Sequence, residues 1–227
     1  MSAKETILTR IRTALADVEE REPLKDVPST WTYGAALGTE DILADLVEKV
    51  EDYKARVLRV RPDEVARAIA DELRHLGTRS CVVPDGLDPA WVEAIEGTDA
   101  TVHRDDPPLD HATLNGIDTV VTGAAVAMAD SGTIALDHGP DQGRRALTLL
   151  PDRHVCVVRA EQVVSDVPEG IARLREAVDA RRPITWLSGG SATSDIELSR
   201  VEGVHGPRTL EVVLLHGPRQ LTMILVD

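Results

Sequence analysis

The sequence predicts an α/β fold, a Rossmann-like parallel sheet with helices on both faces, preceded by N-terminal helices. Two observations predict it. From Pro62 to His103 apolar strand-like runs alternate at short intervals with segments of helical period, the pattern of a parallel sheet whose sites lie at the carboxyl ends of its strands. Before Arg61, two stretches carry apolar residues at helical spacing with charge on the opposite face, which reads as a helical arm over residues 1–60 packed on an α/β domain over residues 61–227.

In chain order, Ile7, Leu8, Ile11, Ala14, Leu15 and Val18 mark the first helix. Residues 22–38, with Pro23, Pro28, Gly34 and Gly38, form a loop carrying Trp31 and Tyr33. Thr39 is placed to cap a second helix, and Ile42, Leu46, Val50, Tyr53 and Val57 keep its period. Pro62 opens a third, with Val65, Ile69, Leu73 and Leu76 inward and Gly77 ending it. Strands follow at Ser80–Val83 and Ala100–His103, around a short helix opened by Asp88-Pro89.

The run from Asp118 to Asp137 has an Ala-rich centre, Ala124–Ala129, suited to close packing on a sheet, and a sharp turn, Asp130-Ser131-Gly132-Thr133, into the strand Ile134–Leu136. Arg153–Val158 reads as a strand and Pro168–Ala180 as a helix. Leu210–Leu215 and Leu221–Val226 read as a closing hairpin.

The 227 residues include 42% hydrophobic and 28% charged side chains, but only 2% aromatic, and no phenylalanine. The core is therefore built from Leu, Val, Ile and Ala. A net charge of −14 and a pI near 4.9 oppose nonspecific binding to nucleic acid and to anionic membranes. Any small anion must be met by local positive charge. Cys81 and Cys156, the two cysteines, sit in apolar runs without a second Cys or a His at ligand spacing, so no iron–sulfur cluster or four-ligand zinc is expected on this chain alone. His103, Asp105, Asp106, Asp110 and His111 read as a solvated acidic loop rather than a metal site. The first residues lack an apolar signal core and no run has the length of a membrane span; a cytoplasmic protein is the expectation.

Residues 183–208, P-I-T-W-L-S-G-G-S-A-T-S-D-I-E-L-S-R-V-E-G-V-H-G-P-R, gather most of the chemically versatile side chains. The apolar Pro183–Leu187 suits a strand, Ser188-Gly189-Gly190-Ser191 a turn, and Ser194 and Asp195 the start of a helix reaching Ser199. Backbone N–H groups at such a turn, with hydroxyls beside them, form a cradle for a phosphate or carboxylate. The candidate anion-binding residues are Gly189, Gly190, Ser191, Thr193 and Arg208, with Ser131, Gly132 and Thr133 from the earlier turn. His205, Glu197 and Asp130 are the candidate proton-transfer or nucleophilic groups. The same residues also fit an ordinary strand-to-helix loop, a plain turn and a solvated Glu202–Arg208 pair.

Three motifs, S-G-G-S-A-T-S-D-I-E-L, V-E-G-V-H-G-P-R and A-M-A-D-S-G-T-I-A-L, occur in the order found in the lactate-utilisation (LUD) domain family, which the chain resembles from about Asp118 to its C-terminus. The family's loop carries proline where this chain has Gly190. The resemblance implies a fold similar to the superfamily of glucosamine-phosphate isomerase (NagB), ribose-phosphate isomerase (RpiA) and CoA transferases. It implies a part in oxidising L-lactate to pyruvate beside iron–sulfur partner proteins that carry the clusters, with a small carboxylate as ligand of this chain. A second reading rests on the superfamily: an autonomous transferase or isomerase with Asp130 as nucleophile or base. A third is a noncatalytic regulatory module.

Overall fold

The computed structural model describes residues 2–17, 38–190 and 206–217, and the backbone alone of 192–194 and 200–202. The chain divides into two compact units, residues 1–35 and 36–227. In the first, helix α1 (Ala3–Ala14) begins with a capping box: the Ser2 hydroxyl accepts from the Glu5 N–H at 3.3 Å, and the Glu5 carboxylate accepts from the Ser2 amide at 2.6 Å.

The second unit opens with α2 (Ile42–Asp52), whose N-cap is Asp41, accepting from the Ala44 N–H at 3.1 Å. The apolar period continues to Val57, yet the helix stops at Asp52. Lys54 takes a left-handed φ of 64° and turns the chain into β1 (Arg56–Val60), from which Val57 still reaches the same core. Strand alternation in R-V-L-R-V outweighed one more turn of helix.

Helix α3 (Val65–His75) ends at Gly77, φ +60°, with the Thr78 N–H on the Leu73 carbonyl at 2.9 Å. After it come β2 (Ser80–Val83), α4 (Pro89–Glu96), β3 (Thr101–Arg104), α5 (His111–Asn115) and β4 (Thr119–Thr122). A hairpin, β5 (Val126–Met128) and β6 (Thr133–Leu136), precedes a 3₁₀ turn at Arg145–Thr148. Next are β7 (Arg153–Arg159), β8 (Val163–Val164), α6 (Val167–Arg173), α7 (Arg175–Asp179) and β9 (Thr185–Leu187). β10 (Ala192–Ser194), β11 (Arg200–Glu202) and β12 (Thr209–Leu215) complete the described elements.

Six strands form a wholly parallel sheet in the order β1-β12-β7-β4-β2-β3. Being covered on both faces, its central strands are continuous apolar runs. Val155, Val157, Val213, Cys81 and Val121 face Ile69, Leu73 and Ile95 of α3 and α4. On the other face Cys156, Val158, Val212 and Leu214 meet Leu46 and Val50 of α2, together with Ala127, Ile134 and Leu136 of a second sheet. That sheet has the order β8-β5-β6-β9. The Ala-rich segment is therefore a strand, its small side chains letting one sheet lie close on another.

A doubly wound sheet takes ligands at the carboxyl ends of its strands where the winding reverses, here between β2 and β4. That place is taken by the chain's own loop, residues 137–144. The Gly86 N–H donates to the Pro140 carbonyl at 3.0 Å and the Gly123 N–H to the Asp141 carbonyl at 2.9 Å. A Cβ on Gly86 would run into Pro140, and one on Gly123 into the Asp141 carboxylate. Arg144 anchors the loop with a two-nitrogen grip on Asp105 at 2.7 and 3.0 Å. Burial acts to raise the Asp105 pKa, but Arg144 and the Leu109 N–H hold it below the usual range. Two clefts of about 430 and 330 Å³ flank the plug.

Four sequence readings are corrected. Ser194, expected at the start of a helix, is a strand residue in β10, paired antiparallel with Arg200 of β11; residues 195–199 lie outside the described ones. Leu210–Leu215 lies between two parallel neighbours, β7 and β1, inside the main sheet, and the Leu221–Val226 half of the expected hairpin lies outside the described residues. The Pro168–Ala180 helix breaks at Leu174 into α6 and α7. The acidic loop is not simply solvated: Asp105 holds Arg144, and Asp110 caps α5 through the Thr113 N–H at 2.7 Å.

Candidate functional site

A cleft of about 460 Å³ opens beside the amino ends of β7 and β12. His154 and Leu210, register partners on those strands, form its floor. One wall is the 3₁₀ turn with Arg145, Thr148 and Leu149; the other is β9 and the Ser188-Gly189-Gly190 turn; Gly206 and Pro207 close the end.

The two glycines are required by what they pass between. Gly189 has φ +90°, and a Cβ there would lie 2.6 Å from the Tyr53 Cβ. A Cβ on Gly190 would meet the Arg208 carbonyl oxygen. The other predicted turn is drawn to the same place: the Thr133 and Ser188 hydroxyls lie 2.8 Å apart, and Gly132, φ +61°, leaves room for the Lys49 backbone. Ser131 keeps a buried hydroxyl oxygen without a partner among the described residues.

The structure thus gathers Gly189 and Gly190 into the cleft and ties Thr133 to its wall. Asp130 is exposed and does not line it. Arg208 lies against Gly190 through its carbonyl, while its guanidinium, 67% exposed, faces Asp152 at 3.4 Å; among the described residues the arginine lining the cleft is Arg145. Thr193 belongs to β10, and Ser191, Glu197 and His205 lie outside the described residues.

His154 is not among the residues that the sequence singles out. It sits inside the apolar run R-H-V-C-V-V and is fully buried; a polar residue at an inward position of a buried strand was the one available signal. The Thr122 Oγ1 lies 2.8 Å from the Gly123 carbonyl and 2.7 Å from His154 Nε2. With the hydroxyl proton on the carbonyl, the ring donates through Nε2 and Nδ1 is an acceptor. Nδ1 has no partner among the described residues. Burial pushes the imidazole pKa down to about 4, so the ring is neutral at physiological pH.

His138 has the opposite tautomer. Its Nδ1 lies 2.8 Å from the Gly143 carbonyl, which can only accept, and its Nε2 lies 2.8 Å from the Thr185 hydroxyl. Thr185 lines the cleft and, with its proton given to His138, presents an acceptor.

Both cysteines are buried, and burial pushes their thiols up to about 12, so neither is a thiolate at neutral pH. Among the described residues no three His, Cys, Asp or Glu side chains stand close enough to share a metal ion.

Comparison with known proteins gives the following. The LUD domain family model matches residues 43–215. Lactate utilization protein C of Deinococcus radiodurans is 47% identical over 214 residues, 94% of this chain and 95% of that one. A protein of the same name from Geobacillus thermodenitrificans is 27% identical, covering 82% and 83% of the two chains. A crystal structure of a DUF162 family protein from D. radiodurans, 44% identical, superposes with a TM-score of 0.68 and covers 79% of this chain and 99% of that one.

Proposed function

The chain belongs to the LUD domain family, and from that premise we propose that it serves L-lactate utilisation by binding a small carboxylate in the cleft above His154. In this reading it works beside iron–sulfur partner proteins, which hold the redox centres for oxidation of L-lactate to pyruvate. The names of the similar proteins support the pathway, and the six-stranded parallel sheet is compatible with the NagB, RpiA and CoA-transferase superfamily.

The observation that carries the ligand assignment is the cleft's own composition. In a chain of net charge −14 it places an arginine, Arg145, at the wall beside the Ser188-Gly189-Gly190 turn. An autonomous transferase using Asp130 is less well supported, because Asp130 does not line the cleft. Calorimetric titration of the purified chain with L-lactate tests the reading: binding weakened by Arg145→Ala supports it, and absence of binding to the wild-type protein contradicts it.

A further inference from the structure

The floor of the cleft carries a group with no work in the fold. His154 Nε2 is engaged by Thr122, which is not a cleft residue, whereas Nδ1 of this cleft-lining residue has no partner among the described residues. A buried acceptor left unpaired is costly, and native structures retain few of them. Thr122 also has the Gly123 carbonyl at 2.8 Å; with its proton there, the neutral ring donates through Nε2 and Nδ1 accepts. What would satisfy it is a ligand O–H or N–H.

We infer that His154 is a specificity-determining residue of this cleft, accepting a hydrogen bond at Nδ1 from the hydroxyl of a 2-hydroxy acid and thereby discriminating against the corresponding 2-keto acid. The inference rests on the cleft being the carboxylate site proposed above. A hydroxy acid and its keto acid share the carboxylate and nearly the same shape. They differ at C2, where one presents an O–H and the other two lone pairs. Against a fixed acceptor the hydroxyl is satisfied, while the ketone sets lone pair against lone pair and leaves both acceptors unpaired. Sites built to pair one polar group reject analogues lacking it far more strongly than apolar pockets discriminate size. Thr185, whose proton is engaged by His138, adds a second acceptor to the cleft wall and favours the same side of the pair.

The test uses the full chain with uniformly ¹⁵N-labelled histidine, and L-lactate and pyruvate as probes. In the free protein His154 Nδ1 is expected at the shift of an unprotonated ring nitrogen. Saturating L-lactate should move that resonance upfield, pyruvate should leave it in place, and L-lactate should bind about tenfold tighter or more. His154→Gln should narrow the preference. Because that buried substitution can disturb folding, the resonance shift in the wild-type protein is the deciding reading. Equal affinity for the two probes with an unmoved Nδ1 overturns this inference and leaves the carboxylate site standing. Failure of both probes to bind removes the site and the inference together.

Discussion

Arg56 sets one guanidinium nitrogen 2.9 and 3.0 Å from the two carboxylate oxygens of Glu72, a side chain only 2% exposed. Glu211, the register partner of Arg56 on the neighbouring strand, is 6% exposed and has one oxygen without a partner among the described residues. Burial and the charge of Glu72 push Glu211 up to about 7, with Arg56 pulling the other way. The folded state therefore holds a proton that the unfolded chain releases near the ordinary glutamate value, so this group's contribution to stability falls as pH rises from about 4.5 to 7. Glu211→Gln is expected to stabilise the protein by about 1 to 3 kcal/mol at pH 8 and to change little near pH 4.5. Urea unfolding at the two pH values checks it.

His154 works in the opposite sense. Its folded pKa, about 4, is below the ordinary histidine value of 6.5, so stability is lost as pH falls from about 6.5 toward 4. Between pH 4.5 and 6.5 the two groups oppose one another at about 1.4 kcal/mol per pH unit each. The wild-type protein should show a nearly flat stability profile there. His154→Gln should expose a decline with rising pH, and Glu211→Gln a rise. Parallel profiles for both variants and the wild type would contradict the assignment.

Gly190→Ala sets a methyl group against the Arg208 carbonyl and should move the cleft's end wall. L-lactate affinity is expected to fall about tenfold or more, since misplacing a positioning backbone by a fraction of its contact distance is enough. Gly189→Ala adds a backbone penalty of about 1 to 3 kcal/mol at φ +90°. Calorimetric titration and thermal unfolding read the two effects separately.

Gly86→Ala forces a Cβ into the Pro140 backbone. The loop that plugs the sheet's reversal point should loosen, with a loss of about 1 to 3 kcal/mol. Amide exchange at Gly86 and Gly123, whose N–H groups donate to the loop, should quicken more than at β7.

Elements with their own punctuation were legible in the sequence. Ser80–Val83 stands as read, α3 ends at Gly77, and Asp88 caps α4. Where two periods fitted the same residues, tertiary context decided: Val57 serves a strand as well as a helix, and V-A-M reads as a strand only once β6 and β8 flank it. Of the second sheet, β6 and β9 are legible as the strands Ile134–Leu136 and Pro183–Leu187, whereas β5 and β8, three and two residues long, are not. In the site, the glycine turns announced themselves by composition. His154 did not, because its meaning depends on Thr122, distant in sequence and adjacent only after β4 pairs with β7.

The measurement that tests the account most directly is lactate-dependent reduction of an artificial electron acceptor by the purified chain, alone and mixed with the candidate iron–sulfur partners. Reduction is expected in the complete mixture, none from the chain alone, and a sharp loss when the chain carries Arg145→Ala. Equal reduction by the partners with the chain left out, or reduction by the chain alone, would contradict it.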